Sequence, residues 1–291
     1  MERFTISVPA TTANLGLGFD SMGMALVKYL TIQAELSDTW SFTYTQEALE
    51  VLPADERNLV CQTAQQVAAK YQKTMPALAI EMTSDIPLTH GQGSSSSAIV
   101  AGIELANHYL NLNLSEREKV EIGSDIEGHP DNVGPCVTGD VFIGFYEDGQ
   151  LYYEVIELPN IQVIMTTPPY EISTAEARKA LPEQYEKGQA IAQNAANNVM
   201  VLKMLHQDYP AMGALMMRDQ FHEPYREHLI PEFIPLRQLG QELGAYATVI
   251  SGAGPSILTL AAQNKANDIL QAFQEAEPDC QHELLDIHRK Q

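Results

Sequence analysis

A glycine- and serine-rich loop that opens directly into an apolar helix constrains this chain more than any other feature. Residues 87–98 read PLTHGQGSSSSA, and apolar residues fill most positions of a helical pattern from 95 to 110. Ser94 or Ser95 can cap this helix. Such a loop presents unpaired backbone N–H groups at the positive end of a helix dipole, where phosphate oxygens bind well. The loop therefore predicts a nucleotide or another phosphate as the ligand.

The loop differs from the common P-loop, because no lysine follows Gly93. Backbone dipoles, serine hydroxyls and a metal ion must then meet the phosphate charge. The 291 residues include 38 acidic and 17 basic ones, which gives a net charge of −21 at pH 7. This charge argues against a general nucleic-acid or acidic-membrane binder, since phosphate backbones need clustered Lys and Arg. It favours a divalent cation that accompanies the nucleotide.

The cysteines indicate a reducing compartment. Cys61, Cys136 and Cys280 are far apart and form no C-x-x-C pair, so we expect neither a disulfide framework nor a zinc site. The N-terminus lacks the apolar core of a signal peptide, and no run of 18 apolar residues occurs. We therefore expect a cytoplasmic protein without a membrane segment.

Hydrophobic periodicity predicts a mixture of strands and helices. The predicted strands are 3–9, 29–36, 40–44, 77–82, a hairpin of 137–145 and 151–158, 161–166, 246–250, 256–261 and 282–289. The predicted helices are 59–71, 95–110, 115–122, 174–181, 188–207, 211–220, 232–243 and 265–276. This order indicates an α+β protein of two subdomains that divide between about 155 and 170.

Three glycine-rich segments carry a resemblance to a known family. They are PATTANLGLGFD at 9–20, the loop at 87–98, and SGAGPS at 251–256. Taken alone, the first and third segments are explained equally well as ordinary turns. In this order they resemble the three signature motifs of the small-molecule kinase superfamily of galactokinase, homoserine kinase, mevalonate kinase and phosphomevalonate kinase. The first motif, extended to Gly23, and GHPDNVGP at 128–135 are similar to the homoserine kinase branch.

The resemblance spans nearly the whole chain and implies a fold. An N-terminal ATP-binding α/β domain, residues 1–160, should contain a left-handed β-α-β unit, an exception to the usual right-handed rule. A C-terminal domain, residues 161–291, should be ferredoxin-like, with the site between the two domains. Two residues depart from the family pattern, since Gln92 stands in place of leucine and Ser97 in place of a small apolar residue. Neither change removes a backbone donor.

The resemblance also implies a binding site for ATP and Mg²⁺. Asn58 would meet the adenine, and Ser95 together with Glu121, eight residues before His129, would hold Mg²⁺. Taken alone, Glu121 is more typical of a solvated helix face. The phosphates would contact Gly91, Gln92, Gly93, Ser94, Ser95, Ser96 and Ser97.

The acceptor implied by the resemblance is L-homoserine. Arg178 and Arg226 would bind its carboxylate bidentately, although each is otherwise typical of a helix surface. Asp20 is the expected partner of the ammonium group, and Thr174 and Gly252 would line the site. Asn14, His129 and Asn132 would hold the amino group and the hydroxyl. Asp131, beside Asn132, is either a general base or a residue that only shapes the site.

The sequence thus predicts ATP-dependent phosphorylation of L-homoserine to O-phospho-L-homoserine, a step of threonine biosynthesis, by a homodimer. Two alternatives stay open at this point. One is a related kinase with a different alcohol acceptor, against which the arginine pair and the detailed first motif argue. The other is a non-catalytic metabolite sensor on the same scaffold, against which the retained metal residues and all three motifs argue.

Overall fold

The computed structural model describes residues 3–290 and contains two β-sheets that are covered by helices. The N-terminal half contains β1 (Phe4–Ala13), β2 (Met22–Leu36), β3 (Ser41–Tyr44), α1 (Leu59–Lys70), β4 (Leu78–Ser84), α2 (Ser94–Tyr109), α3 (Glu116–Glu127), α4 (Val133–Thr138), β5 (Val141–Glu147) and β6 (Gln150–Ile156). The C-terminal half contains β7 (Ile161–Thr167), α5 (Thr174–Lys179), α6 (Lys187–Leu205), α7 (Tyr209–Met216), α8 (Glu223–Arg226), α9 (Phe233–Leu243), β8 (Ala247–Ile250), β9 (Ile257–Ala262), α10 (Gln263–Ala276) and β10 (Gln281–Leu285).

The first sheet has the strand order β3-β4-β2-β5-β6, and β1 pairs with β2. Strands β1 and β2 form a long antiparallel pair in which Ala13 lies opposite Gly23. Strand β2 begins at Met22, whereas the sequence predicted a start at residue 29. Most residues between 22 and 28 are buried, so this part of the strand lacks the alternation that reveals a half-exposed strand.

Strands β3 and β4 are parallel neighbours, and helix α1 lies between them along the chain. This arrangement is a β-α-β unit, as the resemblance implies, and its handedness stays a prediction. Helix α2 packs closely on α1, where a side chain at Gly102 would come within 2.6 Å of the Val60 carbonyl oxygen. The buried helix α2 thereby holds its N-terminus at a fixed place beside the sheet.

The second sheet has the order β10-β7-β9-β8 and is antiparallel throughout. Along the chain, helices α5 to α9 separate β7 from β8, and α10 separates β9 from β10. This β-α-β-β-α-β succession with the first strand inside the sheet is the ferredoxin-like arrangement. The α+β kinase fold expected from the sequence is therefore confirmed.

One predicted strand is partly wrong. The segment 137–145 was expected to be entirely extended, but α4 runs through Thr138 and β5 begins only at Val141. All six residues of α4 are buried. A short, wholly buried run shows no polar and apolar alternation in either a helix or a strand, so periodicity could not separate them.

The division into residues 1–160 and 161–291 stays a prediction. The sheets change between Ile156 and Ile161, but the main apolar core continues across this point. Met200 and Met212, from α6 and α7, belong to the same core as the strands of the first sheet. Of the helices between residues 3 and 290, not one has both the length and the apolar character needed to cross a bilayer.

Candidate active site

The three glycine-rich segments meet at one surface. The Thr11 N–H donates to the Gln92 carbonyl at 3.1 Å, which joins the first segment to the second. The Gly252 N–H donates to the Ala13 carbonyl at 3.1 Å, which joins the third segment to the first. The Ser251 hydroxyl donates to the Gly91 carbonyl at 2.7 Å, which joins the third segment to the second.

This close approach explains two of the glycines. A Cβ at Gly93 would lie 2.0 Å from the Thr11 hydroxyl oxygen, and one at Gly91 would lie 2.3 Å from the Ser251 carbonyl oxygen. Both glycines also have positive φ, 73° and 71°, which disfavours other residues. Gly93 is the N-cap of α2. The loop is therefore fixed with the free N–H groups of the helix start turned toward a cleft.

The cleft has a volume of about 450 Å³. It lies among the β1–β2 turn, the start of α2, the loop between α3 and α4, helices α5 and α8, and the β8–β9 turn. It brings together most of the residues that the sequence singled out: Asn14, Asp20, Gly91, Gly93, Ser94, Ser95, Ser96, His129, Asp131, Asn132, Thr174, Arg178, Arg226 and Gly252.

Three residues expected at the nucleotide do not line the cleft, and these assignments are corrected. The Asn58 side chain caps α1 by accepting the Val60 N–H at 3.0 Å. The Gln92 side chain is buried and donates to the Thr167 hydroxyl at 2.8 Å. The Ser97 hydroxyl donates back to the Ser94 carbonyl at 3.0 Å. Their side chains stabilise the loop and the helices behind it.

Apolar residues stand where the adenine contact was expected. Leu59, Ile99 and Ile126 line the cleft, and they offer a surface that suits a flat aromatic base. The sequence contained no separate signal for them, because each fits the ordinary helical pattern of core residues.

The expected metal ligand Glu121 also requires a correction. Its carboxylate lies 3.6 Å from Arg117, outside the cleft. Glu127, six residues later on the same helix, lines the cleft and accepts a hydrogen bond from the Ser96 hydroxyl at 2.6 Å. Six residues turn an α-helix by about 240°, so the two glutamates point to different faces. A signal existed in the sequence, since Glu127 directly precedes the 128–135 motif.

Glu127 and Ser96 fit a divalent cation. Ser96 takes the place of Ser95, the serine expected from the sequence, because the Ser96 hydroxyl is the one that donates to Glu127. Burial raises the pKa of Glu127 to about 7, helped by the charge of Asp131 and opposed by the Ser96 hydrogen bond. Between residues 3 and 290, no Lys, Arg or His nitrogen lies within 4.0 Å of this carboxylate. An enclosed carboxylate beside a hydroxyl at the start of α2 offers the oxygen ligands that Mg²⁺ prefers.

The loop after α3 holds a hydrogen-bonded group around Asp131. The His129 Nδ1 lies 2.6 Å from an Asp131 carboxylate oxygen, and the Asn132 amide donates to the same oxygen at 3.2 Å. The Thr11 hydroxyl donates to Asn132 at 2.7 Å. Burial lowers the pKa of His129, but the hydrogen bond and charge of Asp131 outweigh it and raise the pKa to about 9. His129 is thus a cation at neutral pH.

Two arginines also line the cleft. Arg178 forms an ion pair with Asp20 at 3.2 Å. Arg226 is only 2% exposed and donates to the Ala177 and Gly252 carbonyls. Burial, together with the nearby charge of Arg178, lowers the pKa of Arg226 to about 10. Two guanidinium groups so placed favour an anionic ligand between them.

Acidic groups lie beside these arginines. One ligand atom from each of Asp20, His129 and Asp131 lies within 4.8 Å of the others. Asn14 accepts the Asp20 N–H at 3.1 Å and donates to the Gly252 carbonyl at 2.9 Å, so it connects the first and third segments. A cleft with arginines and carboxylates side by side is complementary to a small molecule that carries both charges.

Family models match more than half of the chain. The model for the GHMP kinases N terminal domain matches residues 58–140, and the model for GHMP kinases C terminal matches residues 200–279. The chain belongs to the GHMP kinase family. A mevalonate kinase structure with 14% identity and a TM-score of 0.74 shares the fold of this GHMP kinase over 99% of the chain.

Several relatives of this GHMP kinase are homoserine kinases. Those of Staphylococcus epidermidis and Staphylococcus haemolyticus are 45% and 43% identical to it over 291 residues, covering 99% of this chain and 95% of each relative. The crystal structure of homoserine kinase from Cytophaga hutchinsonii is 28% identical, covers 100% of this chain and 96% of its own, and superposes with a TM-score of 0.89.

Proposed function

We propose that this GHMP kinase transfers the γ-phosphoryl group of ATP to the side-chain hydroxyl of L-homoserine. The products are ADP and O-phospho-L-homoserine, which feeds threonine synthesis. The observation that carries the proposal is one cleft lined both by the N-terminal serines of α2 and by arginines and carboxylates. Phosphoryl transfer depends on positioning and charge neutralisation, and such a cleft supplies both.

The nucleotide end is formed by the loop and by the start of α2. Backbone N–H groups of Ser94, Ser95 and Ser96 lie at the positive end of the helix dipole and would bind the phosphates. Leu59 and Ile99 would contact the base. Ser96 and Glu127 would hold Mg²⁺, and the ion supplies charge neutralisation at the transferring phosphoryl group when bound.

The acceptor end recognises both charges of an amino acid. Arg226 and Arg178 would bind the carboxylate, and Asp20 would bind the ammonium group. Mevalonate carries a carboxylate but no ammonium group, so the acidic side chains favour homoserine over this alternative acceptor. His129 and Asn132 would orient the hydroxyl toward the phosphate end of the cleft.

The geometry favours Asp131 as a residue that shapes the site rather than as an essential base. One of its carboxylate oxygens already accepts from His129 and from Asn132. A loose transition state requires little deprotonation of the acceptor hydroxyl beforehand.

We expect Asp131→Asn to lower kcat by less than about 100-fold, at the low end of what general base catalysis contributes. The pKa of His129 should fall in this variant, because the charge of Asp131 holds it up. Single-turnover rates with saturating homoserine and ATP measure the chemical step. A loss above about 1,000-fold with unchanged substrate affinities would instead make Asp131 the base.

A coupled assay of ADP release with a panel of acceptors tests the function. L-Homoserine should be used far better than mevalonate or galactose, and ADP release should depend on Mg²⁺. Better use of another alcohol would support the related-kinase alternative. ATP binding without ADP release from any acceptor would support the sensor alternative.

We also propose a cytoplasmic homodimer. The free state of all three cysteines supports a reducing compartment. A group of exposed apolar side chains on β5, β6 and α6 supports self-association, since such patches mark interaction sites. Light scattering should give twice the chain mass of 32.1 kDa, and a value of 32.1 kDa would contradict the dimer. The exposed group comprises Phe145, Tyr152, Val155, Ile191, Val199, Leu202 and Leu205.

A further inference from the structure

A buried histidine behind the acceptor end of the cleft contacts both the first motif and Arg226. His222 directly precedes α8, and its side chain has no exposed surface. Its Nε2 lies 3.0 Å from the Gly16 carbonyl oxygen, and its Nδ1 lies 3.4 Å from Nη1 of Arg226. The imidazole also stacks on Phe19, which lines the cleft, with 5.3 Å between ring centroids.

These two contacts determine the protonation state of the ring. A carbonyl oxygen only accepts, so Nε2 must carry the proton. A guanidinium only donates, so Nδ1 must present its lone pair. Burial lowers the pKa of His222 and the charge of Arg226 lowers it further, while Asp219 acts in the opposite direction. The neutral Nε2–H tautomer therefore satisfies both neighbours.

The contacts of Arg226 show what this tautomer achieves. Its Nε donates to the Ala177 carbonyl at 3.2 Å, and its Nη1 donates to the Gly252 carbonyl at 3.0 Å. Its Nη2 makes no hydrogen bond to any residue between 3 and 290. The guanidinium also lies over the Phe19 ring, 5.5 Å from the centroid. The protein thus anchors the guanidinium at Nε and Nη1 and leaves Nη2 for a ligand.

The histidine itself is held rigidly. The buried Asp219 carboxylate accepts the backbone N–H of His222 at 2.9 Å and that of Glu223 at 2.8 Å. The Gln193 amide donates to Asp219 at 2.8 Å and to the Leu17 carbonyl at 3.1 Å. This network fixes the backbone at His222 and joins it to the first motif through Gln193.

We propose that His222 is a positioning residue for the acceptor carboxylate. Its Nδ1 orients the Arg226 guanidinium, while its Nε2–H holds the first motif at the Gly16 carbonyl. This role rests on the proposed function, because the carboxylate is that of homoserine. His222 itself does not touch the acceptor.

Two substitutions separate the two contacts. In His222→Asn the side-chain amide oxygen lies at about the position of Nδ1 and can accept a hydrogen bond from Arg226. In His222→Gln the side-chain amide nitrogen lies at about the position of Nε2 and can donate to the Gly16 carbonyl. We expect His222→Gln to raise KM for homoserine by about ten-fold or more, the usual effect of losing a hydrogen bond to a charged group. In His222→Asn, KM for homoserine should stay within about three-fold of the wild-type value. KM for ATP should be unchanged in both variants.

His282→Gln is the matched control. His282 also has hydrogen-bonding neighbours at both ring nitrogens, the Thr166 hydroxyl and the Glu277 carbonyl, but does not line the cleft. We expect His282→Gln to lower the thermal stability, as His222→Gln also should, but to leave KM for homoserine unchanged. The inference is overturned if His222→Gln and His222→Asn have the same KM for homoserine, or if KM for ATP rises in parallel.

A measurement on the wild-type enzyme covers the case in which a variant does not fold. Nitrogen-15 NMR of labelled histidine should show His222 as the neutral Nε2–H tautomer at pH 7. The Nδ1–H tautomer or an imidazolium would overturn the inference. Absence of homoserine phosphorylation by the wild-type enzyme would refute the proposed function instead, so the two failures are distinguishable.

Discussion

Replacing Arg226 with alanine is expected to lower kcat/KM for homoserine by about 30-fold to a few thousand-fold, which corresponds to about 2–5 kcal/mol for losing one partner of a buried charge pair. The guanidinium is 2% exposed and held by two backbone carbonyls, so little solvent can replace it. The substrate carboxylate would be left in the cleft without its main partner. Steady-state kinetics with each substrate varied should show KM for ATP nearly unchanged.

Two further arginine variants serve as a comparison and as a control for Arg226→Ala. Arg178→Ala should also weaken homoserine use, but less, because its side chain is 42% exposed and solvent screens its pair with Asp20. Arg289→Ala removes a half-exposed arginine that does not line the cleft and should leave both KM values unchanged. Wild-type homoserine kinetics in Arg226→Ala would show that this residue does not bind the acceptor.

Replacing Glu127 with glutamine is expected to lower kcat by about 100- to 1,000-fold, the usual cost of removing one electrostatic stabiliser from an active site. The change keeps the size of the side chain but removes the charge that would hold Mg²⁺ against the ATP phosphates. The magnesium concentration needed for half-maximal activity should rise as well. A magnesium titration at saturating ATP and homoserine measures both effects.

Glu121→Gln is the matched control for this experiment. The two glutamates lie on the same helix, but Glu121 pairs with Arg117 outside the cleft. Its substitution should change neither kcat nor the magnesium midpoint. The opposite pattern, with a large effect at Glu121 and none at Glu127, would contradict the assignment made from the structure.

The sequence predicted the glycine- and serine-rich loop and the helix start that follows it because their chemistry is local. Gly91, Gly93 and the serines that follow them are adjacent in the chain, and their spacing alone defines a helix start. The meeting of this loop with the segments at 9–20 and 251–256 followed only from family resemblance. No local property of residues 251–256 indicates that the Ser251 hydroxyl contacts Gly91.

The metal ligand could not be predicted from spacing alone. The spacing of eight residues before His129 led to the prediction of Glu121. The glutamate that reaches the cleft is Glu127, because the packing of α3 decides which face of this helix lines the cleft. Asn58 shows a related difficulty, since an asparagine before an apolar helix is as typical of an N-cap as of a ligand contact. In the structure Asn58 is the N-cap of α1.

Tertiary packing also accounts for the remaining differences between the predicted and the observed secondary structure. Buried segments such as 22–28 and 133–138 carry no alternation of polar and apolar residues, so their secondary structure is decided by their neighbours. The role of His222 is the clearest case. Its ring lies between Gly16 and Arg226, and no sequence pattern links those three positions.

Phosphorus NMR of the reaction product tests the central claim most directly. Wild-type enzyme, Mg-ATP and an equimolar mixture of L-homoserine and mevalonate would be incubated until ADP accumulates. We expect the new phosphomonoester resonance to match O-phospho-L-homoserine, with coupling to the side-chain methylene protons. A resonance of phosphomevalonate, or ADP accompanied only by inorganic phosphate, would contradict it.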